Sequence, residues 1–133
     1  MNDIQVAKAL GLFSLGLGAI EIILGRRVNR DLGLELTPGA VRAFGAREVV
    51  SGSLVLLFPD KAAPVWIRVA GDVLDLAVLS RALSPGHPRR QAALVAMLAV
   101  VGVTILDVAT ASALTKRHTR ALSTARRTRV QRA

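Results

Sequence analysis

The sequence predicts an all-α integral membrane protein, a four-helix bundle with antiparallel up-down topology and a basic C-terminal tail. Of its 133 residues, 52% are hydrophobic, and the mean hydropathy of +0.46 is high for a chain of this size. Four apolar stretches are each near the roughly 20 residues that cross a hydrocarbon core as a helix. Ala and Leu, both good helix formers, dominate these stretches together with Val. We therefore expect one transmembrane domain over residues 1–114 and a tail over residues 115–133.

The first predicted span covers residues 4–24. A signal peptide is the natural alternative, but this segment begins without a basic cluster, ends without a small-x-small cleavage site and contains Glu21. We therefore expect a helix that the mature protein retains. The loop that follows, residues 25–38, has room for a short interfacial helix that ends at Pro38.

The other three spans are separated by turns rich in proline. Residues 39–58 and 62–83 form the second and third spans, and the very short turn that begins at Pro59 makes them antiparallel neighbours. Two prolines and a glycine within residues 84–88 then break the chain before the fourth span, residues 91–114.

The tail, residues 115–133, is basic and rich in Thr and has few large apolar residues. We expect it to be disordered or to lie on the membrane surface, where anionic lipid headgroups attract it. Its positive charge predicts cytoplasmic termini for a multi-pass protein of the bacterial inner (plasma) membrane, and this orientation depends on the tail. The net charge of +9 is not accompanied by a pattern of stacking aromatic residues, so we expect no nucleic-acid partner.

Charged side chains inside the apolar spans are the most informative residues, because a lipid-facing helix excludes them. They are Glu21 in the first span, Arg47 and Glu48 in the second, Arg68, Asp72 and Asp75 in the third, and Asp107 in the fourth. Helical spacing places them on faces that should point into the bundle. Two salt bridges would absorb two of the five acids and leave about three to be protonated, hydrated or held by a cation or cationic ligand.

Residues of small volume share two of these charged faces. In the first span the stripe consists of Gly11, Ser14, Gly18, Glu21 and Gly25, and in the second of Gly45, Glu48 and Gly52. Such stripes predict close helix packing. Small-x-x-x-small pairs in the fourth span, at Ala92 and Ala96 and at Ala109 and Ala113, are predicted contacts for a homo-oligomer or a membrane partner protein.

A rise of about 1.5 Å per residue sorts the charged groups by depth and predicts two separate clusters. The deeper cluster comprises Arg47, Glu48, Asp72 and Asp75, with Glu21 above it. The second is a pair of Arg68 with Asp107, nearer the opposite surface.

Three functions remain open for these residues. In the first, Glu21, Glu48, Asp72 and Asp75 bind or translocate a proton, a cation or a small cationic solute, while Arg47 and Arg68 orient them and Asp107 pairs with Arg68. In the alternative, the protein is a non-catalytic membrane anchor or assembly module whose cluster is structural. The third is a divalent-metal-dependent enzyme acting on a lipid-linked substrate, with the metal at Glu48, Asp72 and Asp75.

Catalysis is the weakest of the three functions. The sequence has no Ser/His/Asp set, phosphate-cradling glycine loop or nucleotide motif, and it has no Cys for thiolate chemistry. We therefore assign no catalytic residue, expect no cofactor and favour a protein that is not an enzyme.

Two short motifs carry a likeness to a known family. With G-A-R-E at residues 45–48, G-D-V-L-D-L at residues 71–76 and Asp107, the chain resembles the membrane-embedded portion of bacterial proteins of the cyclase/dehydrase family. The likeness runs from about Ala9 to Asp107. It implies a four-helix inner-membrane module and adds no catalytic residue.

Overall fold

The computed structural model describes residues 2–131, and within that range it has four α-helices and no β-strand. The helices are α1 (Asp3–Leu32), α2 (Pro38–Leu57), α3 (Ala62–Arg81) and α4 (Arg90–Gln131). The all-α class is thus confirmed, and each predicted span overlaps one helix. Two of the described helices, α1 and α4, are long and apolar enough to cross a membrane.

Helix α1 is longer than the sequence predicts. It begins with a capping box in which the backbone N–H of Gln5 donates to Asn2 Oδ1 at 2.9 Å. The expected loop at residues 25–38 starts only after Leu32, so those first residues form no separate interfacial helix. Gly25 does not end α1, because it is buried against Val41, and the left-handed conformation that closes the helix first occurs at Gly33 (φ 64°).

Helix α4 continues through the region that the sequence assigns to a disordered or surface-lying tail. It runs to Gln131, the last residue that the structure describes, instead of ending at Leu114. The extension contains no Gly or Pro, and its threonines satisfy their hydroxyls within the helix. Thr115, for example, donates to the carbonyl of Ala111 at 2.8 Å. Arg117 also pairs with Asp3 at 2.9 Å, which ties the start of the extension to α1.

The two shorter helices have brief connections. Pro38 occupies the first turn of α2, where a missing N–H costs nothing, and the Thr37 hydroxyl accepts the N–H of Ala40 at 3.2 Å. Only residues 58–61 separate α2 from α3.

Glycines set the spacing between α1 and α2, which pack closely together, as do α3 and α4. A Cβ atom placed on Gly18 would lie 2.7 Å from the carbonyl oxygen of Gly45, and one on Gly52 would lie 2.7 Å from that of Gly11. A larger residue at these positions would force the backbones apart. The small-residue stripes therefore line the α1–α2 interface, with smaller contacts between α1 and α4 and between α2 and α3.

The interior of the molecule is unusually polar and its surface unusually apolar. Charged and hydroxyl side chains that are at most 5% exposed include Ser14, Glu48, Ser51, Arg68, Asp72, Asp107 and Thr110. Large aliphatic side chains such as Ile23, Leu57 and Val95 are instead about 70% exposed or more (77%, 70% and 69%). Ala7, Val55, Val65, Ala111 and Leu114 form a small buried apolar cluster.

Candidate functional site

Glu48 lies at the centre of the buried charged groups. Its Oε1 accepts from Arg47 Nη2 at 2.8 Å, and its Oε2 faces Arg68 Nη1 at 3.5 Å. The hydroxyl of Ser14, on α1, is 2.5 Å from Oε2 and 2.8 Å from the Glu48 carbonyl oxygen. Ser14 fits there because it stands among the glycines that let α1 and α2 approach each other.

Arg47 reaches from α2 onto α3. Its Nη2 donates to both carboxylate oxygens of Asp75, at 2.9 and 2.8 Å, and its Nη1 donates to the carbonyl of Gly71 at 2.8 Å. A Cβ on Gly71 would lie only 3.1 Å from the guanidinium carbon, so glycine at this position makes room for the arginine. The guanidinium also lies 5.2 Å from the centre of the Phe44 ring, a favourable cation–π distance.

Arg68 joins α3 to α4. Its Nε donates to both carboxylate oxygens of Asp107 at 3.2 Å, and its Nη2 is 3.1 Å from Asp107 Oδ2. Both side chains are almost fully buried, with Arg68 2% exposed and Asp107 0% exposed. Such a pair depends on each partner, because removing one leaves a bare charge in a medium of low dielectric constant.

The structure joins these groups into one network, whereas the sequence predicts two separate clusters. Ion pairs run from Asp75 through Arg47, Glu48 and Arg68 to Asp107. The physical reason is that the two carboxylate oxygens of Glu48 point at different arginines. Depth along a helix axis does not account for the reach of a long arginine side chain.

Two of the five acids within the apolar spans remain outside the ion pairs. Neither Glu21 nor Asp72 forms a salt bridge with any residue in the range 2–131. Asp72 is 5% exposed and stands beside the Asp107 carboxyl and the Thr104 hydroxyl, yet its Oδ2 has no hydrogen-bond partner among the described residues. Oε2 of the half-buried Glu21 likewise has no hydrogen-bond partner within residues 2–131.

A cavity of about 250 Å³ adjoins these two acids. All four helices line it, and its charged lining consists of Glu21, Glu48, Arg68, Asp72 and Asp75. Among the described residues of the lining, Asn29 is the one uncharged polar residue, and the remaining walls are apolar. Four of the five acids predicted to face the bundle interior thus border one cavity. Arg47 and Asp107 are not in its lining but form ion pairs with residues that are.

The arrangement of the acids does not suit a metal ion. Among residues 2–131, no group of three or more His, Asp or Glu side chains is placed to hold one. Glu48 and Asp75, two of the three ligands considered from the sequence, both accept hydrogen bonds from Arg47. A cation at that position would compete with a guanidinium that is already in place.

Several contributors to the site are not evident from the sequence. In the sequence, Ser14 indicates only close helix packing. A hydroxyl within a stripe of glycines is nevertheless a recognisable sign of a buried hydrogen bond. Phe44 under Arg47, Thr104 beside Asp72 and the apolar cavity wall have no comparable signal, since each depends on how the helices are packed.

Comparison with known proteins gives no family model, no curated protein and no solved structure that matches this chain.

Proposed function

We propose that this chain is a small integral membrane protein, an antiparallel four-helix bundle whose carboxylate/arginine cluster binds or translocates a proton, a cation or a small cationic solute. The observation that carries the proposal is Asp72, a buried acid in the cavity lining whose Oδ2 has no hydrogen-bond partner within residues 2–131, beside arginines that already pair with other acids. An unpaired acid in such surroundings is stable when it holds a proton or faces a cation.

The distribution of polar and apolar side chains supports the membrane setting. Helices α1 and α4 have the length and hydropathy of membrane spans. Helices α2 and α3, of 20 residues each, hold three and four charged residues, and those near their centres, among them Glu48, Arg68 and Asp72, turn inward. The outer surface that remains is covered by exposed Ile, Leu and Val, which suits lipid and would be an aggregation hazard in water.

The order of contacts between helices supports the antiparallel topology. Gly11 in α1 faces Gly52 in α2, Gly18 faces Gly45, and Gly25 faces Val41. Residue numbers rise along one helix as they fall along the other. Short connections between α2 and α3 and between α3 and α4 are consistent with the same up-down course.

The wider setting of the proposal follows from the sequence. We place the chain in the bacterial inner membrane with cytoplasmic termini, and we expect the basic extension of α4 to meet anionic lipid headgroups. We also propose that the chain forms a homo-oligomer or binds a membrane partner protein. We further propose that it is related to the membrane-embedded portion of the cyclase/dehydrase family.

The substitution Asp72→Asn, which removes the acid that is unpaired within residues 2–131, tests the function. In proteoliposomes with an internal pH indicator and an imposed cation gradient, we expect Asp72→Asn to abolish proton or cation movement while the free energy of unfolding is retained. Asp60→Asn, at an exposed turn residue paired with Lys61, is the control and should behave as the wild type.

The second candidate is a structural module, and the extent of the network favours it. Ser14, Glu48, Arg68 and Asp107 connect all four helices through polar contacts, as a register-fixing clasp would. If the cluster is only structural, the wild type has no transport or binding activity for Asp72→Asn to abolish. The structural candidate is favoured if wild-type proteoliposomes move no more protons or cations than empty liposomes.

A further inference from the structure

We infer that the cavity binds a small organic amine in its protonated form, with the ammonium group at Asp72 and an apolar body against the hydrophobic wall. This inference rests on the proposed function, since it names the kind of cation that the site would accept. Three features carry it: Asp72 in the cavity lining with an Oδ2 that has no partner within residues 2–131, the excess of acids, and the apolar character of the remaining lining.

The charge of the ligand follows from the acids that border the cavity. Asp75 and Glu48 share Arg47, and Glu48 and Asp107 share Arg68, so each arginine already serves two carboxylates. An anion would meet these acids, while both arginines of the network already hold carboxylates. A ligand with one positive charge instead supplies the partner that Asp72 lacks within residues 2–131.

The head group of the ligand follows from the free atom. Asp72 Oδ2 is an acceptor buried within the described part of the chain without a donor, and an ammonium group offers up to three N–H donors. A quaternary ammonium has no N–H and would leave the oxygen without a hydrogen bond. If Asp72 holds a proton beforehand, that proton leaves for solvent as the ammonium pairs with the carboxylate, so charge is conserved at the site.

The body of the ligand follows from the walls. Apart from the charged groups and Asn29, the cavity is lined by apolar side chains, among them Phe13, Leu17, Val100 and Val103. A bare or hydrated metal ion needs several oxygen ligands and gains nothing from such a wall. The volume of about 250 Å³ lies below the roughly 300–1,000 Å³ of sites for drug-sized ligands, so a compact amine fits best.

Three related probes separate charge from apolar contact. Benzylamine has both the ammonium and an apolar ring, benzyl alcohol keeps the ring without the charge, and methylamine keeps the charge without the ring. Binding is measured by isothermal titration calorimetry on the full chain in lipid nanodiscs at neutral pH, with empty nanodiscs as the blank. We expect benzylamine to bind at least about tenfold more tightly than either of the other two probes.

Substitutions locate the binding site. Asp72→Asn should weaken benzylamine binding by about tenfold or more, because it removes the charge that the ammonium faces. Ala96→Phe, which places a ring in the cavity wall, should weaken it similarly without altering any acid. Ala70→Phe, on an exposed face of α3 that does not line the cavity, is the matched control and should bind benzylamine as the wild type does.

Each outcome bears on a different statement. Equal affinity for methylamine and benzylamine would overturn the apolar wall as part of the site, and equal affinity for benzyl alcohol would overturn the role of charge. Absence of benzylamine binding, while Asp72→Asn still abolishes proton movement in proteoliposomes, would refute the amine and leave the proposed function standing. Benzylamine binding that both Asp72→Asn and Ala96→Phe leave intact would place the ligand elsewhere and refute the inference.

Discussion

Replacing Arg68 with Leu removes the guanidinium that joins Asp107 to Glu48. Arg68 is 2% exposed and Asp107 is 0% exposed, so the pair is almost completely shielded from bulk solvent. All three contacts to Asp107, at 3.1–3.2 Å, disappear together. Because truncating one side of a buried ion pair leaves an uncompensated charge, we expect the free energy of unfolding to fall by about 3–5 kcal/mol.

Equilibrium unfolding in mixed bicelles, with SDS as the denaturant, measures this loss. A double-mutant cycle sharpens the measurement: Arg68→Leu combined with Asp107→Leu removes both charges and should be less destabilised than Arg68→Leu alone. The exposed pair of Lys61 with Asp60, at 3.3 Å, is the control, and breaking it should cost at most about 1 kcal/mol. A loss below about 1 kcal/mol for Arg68→Leu, or strict additivity in the cycle, would refute the claim that this pair is buried and coupled.

Two further predictions concern packing and the long fourth helix. Gly18→Leu should destabilise the protein by about 1–3 kcal/mol, because its Cβ would lie 2.7 Å from the Gly45 carbonyl oxygen. At Gly16 a Cβ would meet no described atom within 4 Å, and leucine has the better helix propensity, so Gly16→Leu should not lower the free energy of unfolding. Similar losses for the two variants would argue against close packing. Truncation after Arg117 should lower the helical circular dichroism signal per molecule while stability is retained, since residues 118–131 are helical and exposed. An unchanged signal would mean that the extension is not helical in solution.

Helical periodicity was sufficient to place the charged residues on common faces. Glu48, Arg68, Asp72 and Asp107 lie where spacing of three, four and seven residues puts them, and all four are buried. Periodicity reports the direction of a side chain from its axis. It does not report which neighbouring helix that side chain reaches, so the bridging position of Glu48 between two arginines needed the structure.

The ends of the helices were predicted less well because the residues there are compatible with more than one local structure. Gly25 resembles a helix stop in sequence, but its missing side chain accommodates Val41 inside the α1–α2 contact. The basic residues after Leu114 resemble a solvated tail in composition, but they also have good helix propensity and follow a helix that is already nucleated. The cavity arises from gaps between four helices, for which no local sequence signal exists.

Infrared difference spectroscopy of the protein in lipid bilayers tests most directly whether Asp72 is an unpaired acid in the protein interior. The carbonyl stretch of a neutral carboxylic acid is separate from the bands of a carboxylate, and isotope labelling of Asp assigns it to this residue type. Because the buried Oδ2 of Asp72 has no partner within residues 2–131, we expect Asp72→Asn to remove a neutral-acid band that Asp75→Asn retains. A spectrum in which Asp72→Asn leaves every neutral-acid band in place would show an ionised, solvated or paired Asp72 and would contradict the account.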